Sequence, residues 1–269
     1  MDENSTDAGP VQLRRRQLSL GMVGMGAAWL GAPSAARPAP PAAPPAAPPA
    51  APLSLALIEL MPWASNTPAG ARDGILVDVA GILATLSGVR LELQLLLFAR
   101  AAMMLERGQI DCMVALQAST LDQVATRLAP LSDEDIVIVG RPGTFLRSLA
   151  DLKGKIVGRL RHGEYDPQFA ADDSIIKYDT SSYRQSLEML RVGRLDAVIF
   201  IRSALEFTLK SMGLTAAAVG APLYLGSCPL TLYAHRASVA TASAQSLRAA
   251  CKVVYKVQSV KALADMRMG

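Results

Sequence analysis

The chain has 269 residues, 51% of them hydrophobic and 19% charged, and a formal net charge of +4. That charge is dispersed, and after residue 53 there is neither a basic run nor interleaved aromatics, which excludes nucleic acid as a partner. Three cysteines (Cys112, Cys228, Cys251) without a CxxC spacing, and only two histidines (His162, His235), do not furnish a metal site, and nothing in the sequence calls for a cofactor.

Residues 1–36 read as an export signal. Arg14, Arg15 and Arg16 precede the apolar, glycine-rich LSLGMVGMGAAWLGAPSAA, which ends in small residues suited to cleavage after Ser34-Ala35-Ala36. RRQLSL resembles a twin-arginine signal, with Leu18 where that signal usually has phenylalanine. The ordinary secretory route and an uncleaved anchor are the alternatives. Pro33 and the glycines make a poor spanning helix, which needs roughly 20 apolar residues. Residues 37–52, RPAPPAAPPAAPPAAP, read as a semi-rigid polyproline II linker. The folded body is therefore expected in the periplasm.

From Leu53 the pattern alternates between strand and helix. LSLALIEL is a strand and MPWASNTPAGARDG a turn-rich loop. In ILVDVAGILATLSG the apolar residues Leu76, Val79, Ala80, Leu83 and Leu86 recur at helical spacing, with Gly88 as the stop. VRLELQLL alternates as a strand, FARAAMMLERG is a helix ended by Gly108, and DCMVAL is a buried strand. DIVIVGR, IVGRL, IIKY, DAVIFI and LTLYAH are further strands. SLADLKGK is a short helix and turn, and SSYRQSLEMLRVG a helix with Ser181 or Ser182 as cap. Two helices, near Ser243–Val257 and Val260–Met268, close the chain. Strands separated by helices predict parallel pairing with helical crossovers.

One element is written twice. LERGQIDCMV (Leu105–Val114) and LRVGRLDAVI (Leu190–Ile199) share the order leucine, glycine, aspartate and apolar residues. Each predicts a helix end, a glycine turn at positive φ, and a buried strand entered through Asp111 or Asp196. Two such units predict two similar α/β lobes with a ligand cleft between them.

LALIELMPW, GILVDVAGILATLSGVRLELQLL, FARAAMMLERGQIDCMVA, SLADLKGKIVG and YRQSLEMLRVGRLDAVI, in this order and spacing, resemble the extracytoplasmic solute-binding proteins of the amino-acid-binding type that serve bacterial ABC transporters. The resemblance implies a bilobed type II periplasmic-binding-protein fold, α/β with mostly parallel sheets. Lobe 1 would comprise residues 53–138 and 231–269, and lobe 2 residues 139–230.

The same resemblance locates the cleft, and there the residues depart from the family. Its carboxylate-gripping arginine falls on Gln123 and its ammonium-gripping aspartate on Ile201. Its small hydroxyls fall on Ala115, Leu116 and Ala118, and its second-lobe Gly-Ser/Thr turn on His162 and Gly163. Arg127 is the nearest later arginine. A buried charge needs a partner, and arginine–carboxylate pairs are among the strongest, so the departure predicts a ligand other than a free α-amino acid. The candidate ligand-binding residues are Trp63, Phe98, Gln117, Ser119, Thr120, Gln123, Arg161, His162, Glu164 and Tyr165. The leading expectation is a non-catalytic binding protein for a small molecule that is uncharged, aromatic or otherwise unlike an amino acid, with an ABC transporter permease as one candidate partner. The alternative is an accessory protein that binds a periplasmic protein, such as a dehydrogenase, through a degenerate cleft. An enzyme would have only Glu164 and His162 as an acid–base pair.

Overall fold

The computed structural model describes residues 51–268, so the expected signal and most of the linker lie outside the described residues. Ten strands and eight α-helices follow in chain order. They are β1 (Leu53–Ile58), a small hairpin of β2 (Ser65–Asn66) and β3 (Arg72–Asp73), α1 (Ile75–Ser87), β4 (Leu91–Leu96), α2 (Phe98–Glu106), β5 (Cys112–Leu116), α3 (Ser119–Val124) and β6 (Thr126–Gly140). Then come β7 (Ile156–Leu160), α4 (Pro167–Ala171), β8 (Ile176–Thr180), α5 (Tyr183–Arg191), β9 (Ala197–Ile201), α6 (Arg202–Ser211), β10 (Leu223–Ala234), α7 (Ala242–Lys256) and α8 (Ser259–Met268). Among the described residues no helix is long and apolar enough to cross a membrane.

Eight strands form one continuous curled sheet in the order β4-β1-β5-β10-β6-β9-β7-β8. Within each half the pairing is parallel: β4-β1-β5 on one side and β9-β7-β8 on the other. The halves are joined by the long strands β10 and β6, which run antiparallel to each other and to β5 and β9. The expected strands at Asp135–Arg141 and Leu230–His235 are the far halves of these longer strands. Pro130 in β6, and Gly226 and Pro229 in β10, conceal the near halves. A proline lacks an amide donor for the ladder, and register shifts between Tyr224 and Gly226 and between Leu230 and Thr231 absorb the irregularity. The lobe boundaries expected at 138/139 and 230/231 fall inside these two strands. Helices α3, α4 and α6 were not anticipated.

Alternation along the strands builds the core. Leu55 and Leu57 of β1, Cys112 and Val114 of β5, and Leu230 and Leu232 of β10 share one apolar cluster with α1 and α7. The intervening Ala56, Met113, Ala115 and Tyr233 face the opposite side, under Ala101 and Leu105 of α2 and Leu121 of α3. In the other half, Phe200, Val198, Leu187 and Leu205 pack with β7, α5 and α6. Ser182, not Ser181, caps α5, its hydroxyl accepting the Gln185 N–H at 3.1 Å. All three cysteines are free and buried. Burial pushes the thiols of Cys112 and Cys251 up to about 12, which makes them inert filler rather than nucleophiles.

The repeated sequence element has a repeated physical job. Gly108 and Gly193 both adopt left-handed φ, 66° and 77°, as they turn out of α2 and α5. The aspartate that follows brackets the neighbouring parallel strand. Asp111 Oδ2 accepts the Ser54 N–H at 2.9 Å while the Asp111 N–H donates to the Ser54 carbonyl at 3.2 Å. Asp196 Oδ2 accepts the Ile156 N–H at 2.9 Å while the Asp196 N–H donates to the Ile156 carbonyl at 2.8 Å. Asp196 thus satisfies the first amide of β7, and Asp111 the second amide of β1, that of Leu53 being taken by the Arg90 carbonyl. Asp111→Ala and Asp196→Ala are each expected to cost about 1–3 kcal/mol, the penalty for a part-buried donor left without its acceptor. The two brackets share no partner, so urea titration of the double mutant should give the sum of the single losses.

Candidate functional site

The carboxyl ends of the parallel strands in the two halves face each other, and the loops after β5 and β7 meet across the gap. The loop after β5 presents the first turn of α3. The loop after β7, Arg161–Asp166, presents Glu164. The Glu164 carboxylate takes four hydrogen bonds from the opposite lobe. Oε2 accepts the Ser119 N–H at 2.7 Å and its hydroxyl at 2.9 Å; Oε1 accepts the Thr120 N–H at 3.1 Å and its hydroxyl at 2.7 Å. Partial burial pushes this carboxyl upward, but the four donors outweigh it and hold Glu164 below the usual carboxylate range. It is therefore ionised at neutral and mildly acidic pH.

The loop that carries Glu164 is fixed on both sides. His162 and Tyr165 adopt left-handed φ of 65° and 48°, a conformation that costs residues with a Cβ about 1–2 kcal/mol each. Tyr165 offsets this by burying its ring at 5% exposure. Its hydroxyl lies 3.0 Å from that of Tyr183, whose ring stacks on Phe200 at 4.7 Å. Gly163 accommodates the same ring, since a Cβ there would lie 2.3 Å from it. Asp166 caps α4 by accepting the Phe169 N–H at 2.8 Å. His162 then stacks over Phe98 of the opposite lobe, ring centroids 6.4 Å apart at 18°.

Of the sequence-predicted residues, Phe98, Ser119, Thr120, His162 and Glu164 come together across the lobes, with Tyr165 directly beneath. Trp63 does not join them. It is 4% exposed within the lobe core, and its indole nitrogen has no hydrogen-bond partner. Gln117 is tied inside its own lobe, its amide donating to Thr231 Oγ1 at 3.2 Å and its carbonyl approached by Cys228 Sγ at 3.6 Å. Gln123 is exposed on α3 with its carbonyl taken by the Arg236 guanidinium. Arg161 is exposed, and its amide extends the β7–β8 pairing to the Thr180 carbonyl at 3.1 Å. Arg127 forks onto Asp122, so it does not replace the family's carboxylate grip. Ile201 is 5% exposed and presents no charge.

One cavity borders this inter-lobe contact and a second lies elsewhere. The first, of about 460 Å³, is lined by Phe98, Met103, Leu121, Val124, His162 and Glu164 among others. The second, of about 480 Å³, lies between the loop after β1 (Leu60, Ser65) and the α5–α6 face (Ser182, Tyr183, Arg184, Phe207). Among the described residues no group of three or more His, Cys, Asp and Glu side chains is placed to hold a metal.

Sequence reasoning missed Glu134, on β6 where the chain passes between lobes. It is 8% exposed and accepts from Ser132 Oγ at 2.6 Å. Burial, reinforced by the neighbouring charges of Asp135 and Asp133, raises its carboxyl above the ordinary value despite the Ser132 bond. An acidic residue between acidic neighbours reads as solvated surface, and only the strand pairing shows that it turns inward.

The fold is that of the bilobed periplasmic binding proteins. No family model matches the sequence, and no curated protein matches it. Among solved structures, an ancestral arginine-binding protein bound to arginine superposes with a TM-score of 0.66 at 19% identity, covering 81% of this chain and 98% of that one. The GluR0 ligand-binding core of Nostoc punctiforme in complex with L-glutamate gives 0.66 at 17% identity, covering 80% and 98%. The VFT2 domain of Bordetella pertussis BvgS, as a double mutant, gives 0.67 at 17% identity, covering 80% and 92%.

The Glu134 environment carries a signed pH dependence. Its folded-state pKa lies above the unfolded value of about 4.3, so its contribution is fully present below that value and is lost as pH rises through the folded pKa. Glu134→Gln is therefore expected to be more stable than the wild type at pH 7.5. The advantage should vanish near pH 4, as read from urea midpoints at the two pH values.

Proposed function

We propose that this is a non-catalytic extracytoplasmic binding protein whose ligand is not a free α-amino acid. The observation that carries this reading is the occupancy of the cleft. The lobe 1 donors that would face a ligand carboxylate are already engaged by Glu164. The position expected to hold an ammonium is the buried, uncharged Ile201. A zwitterion entering there would find its carboxylate opposed by a like charge and its ammonium unpartnered, and both groups are costly to bury in that condition.

An enzymatic role is the weaker reading. Glu164 uses both oxygens on four donors and is held ionised, so it is not poised to exchange protons near neutral pH. The accessory-protein reading is favoured by one feature, the Glu164 contact that joins the lobes across the cleft without a ligand. A body closed in this way would present its outer surface to a periplasmic protein, whereas the solute-binding reading places an uncharged ligand in a flanking cavity and a permease as the partner.

Thermal unfolding of the exported protein in the presence of each free amino acid separates these readings from the family's usual role. A ligand at 100 times its dissociation constant adds about 2.7 kcal/mol and would move the transition by several degrees. No shift is expected at millimolar concentration of any free amino acid. A shift with neutral aromatic compounds supports the solute reading, and co-purification of one defined periplasmic protein supports the accessory reading.

A further inference from the structure

We infer that Glu164 is a built-in latch that holds the two lobes closed without any ligand. The inference goes beyond the binding reading, because it concerns only how the lobes are held together and stands whichever ligand or partner is found. It rests on the contact itself and not on α3 as a helix terminus. Both carboxylate oxygens of one lobe 2 side chain are taken up, each by an amide and a hydroxyl of lobe 1, at 2.7–3.1 Å. The donors come from two consecutive residues, Ser119 and Thr120, so the match is bidentate and fixes orientation as well as distance.

The surroundings make the side chain a directed one. The left-handed backbone at His162 and Tyr165 flanks Glu164 closely on both sides. Tyr165 anchors the loop in the lobe 2 core through Tyr183, and Gly163 leaves room for its ring. Glu164 is thereby aimed outward from its own lobe at the other. The His162–Phe98 stack beside it adds an apolar contact between the lobes. The charge of the latch is balanced by neutral dipoles and not by a cation, so it is a full acceptor set satisfied by four donors. A neutral amide in its place would put an NH₂ group against N–H and hydroxyl donors, where it cannot accept all four.

In an ordinary two-lobed receptor the closed state gains from a ligand that touches both lobes, and the population follows ligand concentration. Here the bridging group is covalently part of lobe 2, so its effective concentration at lobe 1 is set by the loop and is always present. The closed form is then the resting form, and a partner or ligand acts by working with it or by displacing Glu164.

The test measures the distance between the lobes in the full chain. Nitroxide labels are attached at Arg100→Cys on α2 and Gln168→Cys on α4, both exposed, while the native cysteines are buried. The labelled parent should give one narrow distance distribution without ligand. Glu164→Gln and Glu164→Ala should lengthen and broaden it, while Glu188→Gln, an exposed carboxylate on α5, should leave it unchanged. An unaltered distribution in Glu164→Gln, shown to be folded by its thermal transition, would overturn the latch. So would equal broadening in Glu188→Gln. If Glu164→Ala fails to fold, the isosteric Glu164→Gln decides alone. The latch survives even if a free amino acid is found to bind, provided the distance still depends on Glu164.

Discussion

The antiparallel pair β6–β10 is the constraint from which the rest of the structure follows. Backbone amides in a buried sheet must find partners, and these two strands supply them to both halves. β10 serves β5 with residues Leu230–Ala234, and β6 serves β9 with residues Ile136–Gly140. The lobes are therefore two ends of one sheet and not two bodies on a flexible cord. Relative motion has to pass through this ribbon, and its register shifts mark where the ladder is already loosened. Asp133, Glu134 and Asp135 cluster at the same crossing. Asp135 is met by Arg202 and Ser227, each at 3.2 Å, and Asp133 by Tyr255 at 2.5 Å, while Glu134 is turned inward.

Given a sheet shared in this way, each half can be built by the same local rule. A helix ends at a left-handed glycine, and the next aspartate ties the incoming strand to its parallel neighbour. This rule was legible in the sequence because all its parts are local: Gly108 with Asp111, and Gly193 with Asp196. Their partners, Ser54 and Ile156, were not legible, since strand register depends on contacts 57 and 40 residues apart. The extents of β6 and β10 were hidden for another reason. Pro130, Pro229 and Gly226 carry the ordinary signals of a turn, and in this sheet they sit at irregularities that tertiary pairing tolerates.

The cleft was legible in what it lacks more than in what it contains. The neutral Gln123 and apolar Ile201 can be read from the chain, and the structure places one on the surface and the other in the core. Trp63 shows the limit of reading residue type alone. A tryptophan on a loop can face ligand or core, and here Gly74 packs so closely on the Trp63 backbone that a Cβ there would come within 2.4 Å of its carbonyl oxygen. The loop is thus pressed onto the lobe, with the indole inside. Glu164 was within reach of sequence reasoning as a polar residue after a strand end, but its role was not. Its partners lie 44 and 45 residues away on the other lobe.

The two acidic residues of the inter-lobe region have environments that push in opposite directions. Glu134 is desolvated at the ribbon with one hydroxyl donor, and its charge is disfavoured. Glu164 is less buried, meets four donors across the gap, and its charge is favoured. Opening the lobes would strip all four donors from Glu164. As pH falls, Glu134 is protonated first and Glu164 last, so the crossing strand is neutralised while the latch is still charged.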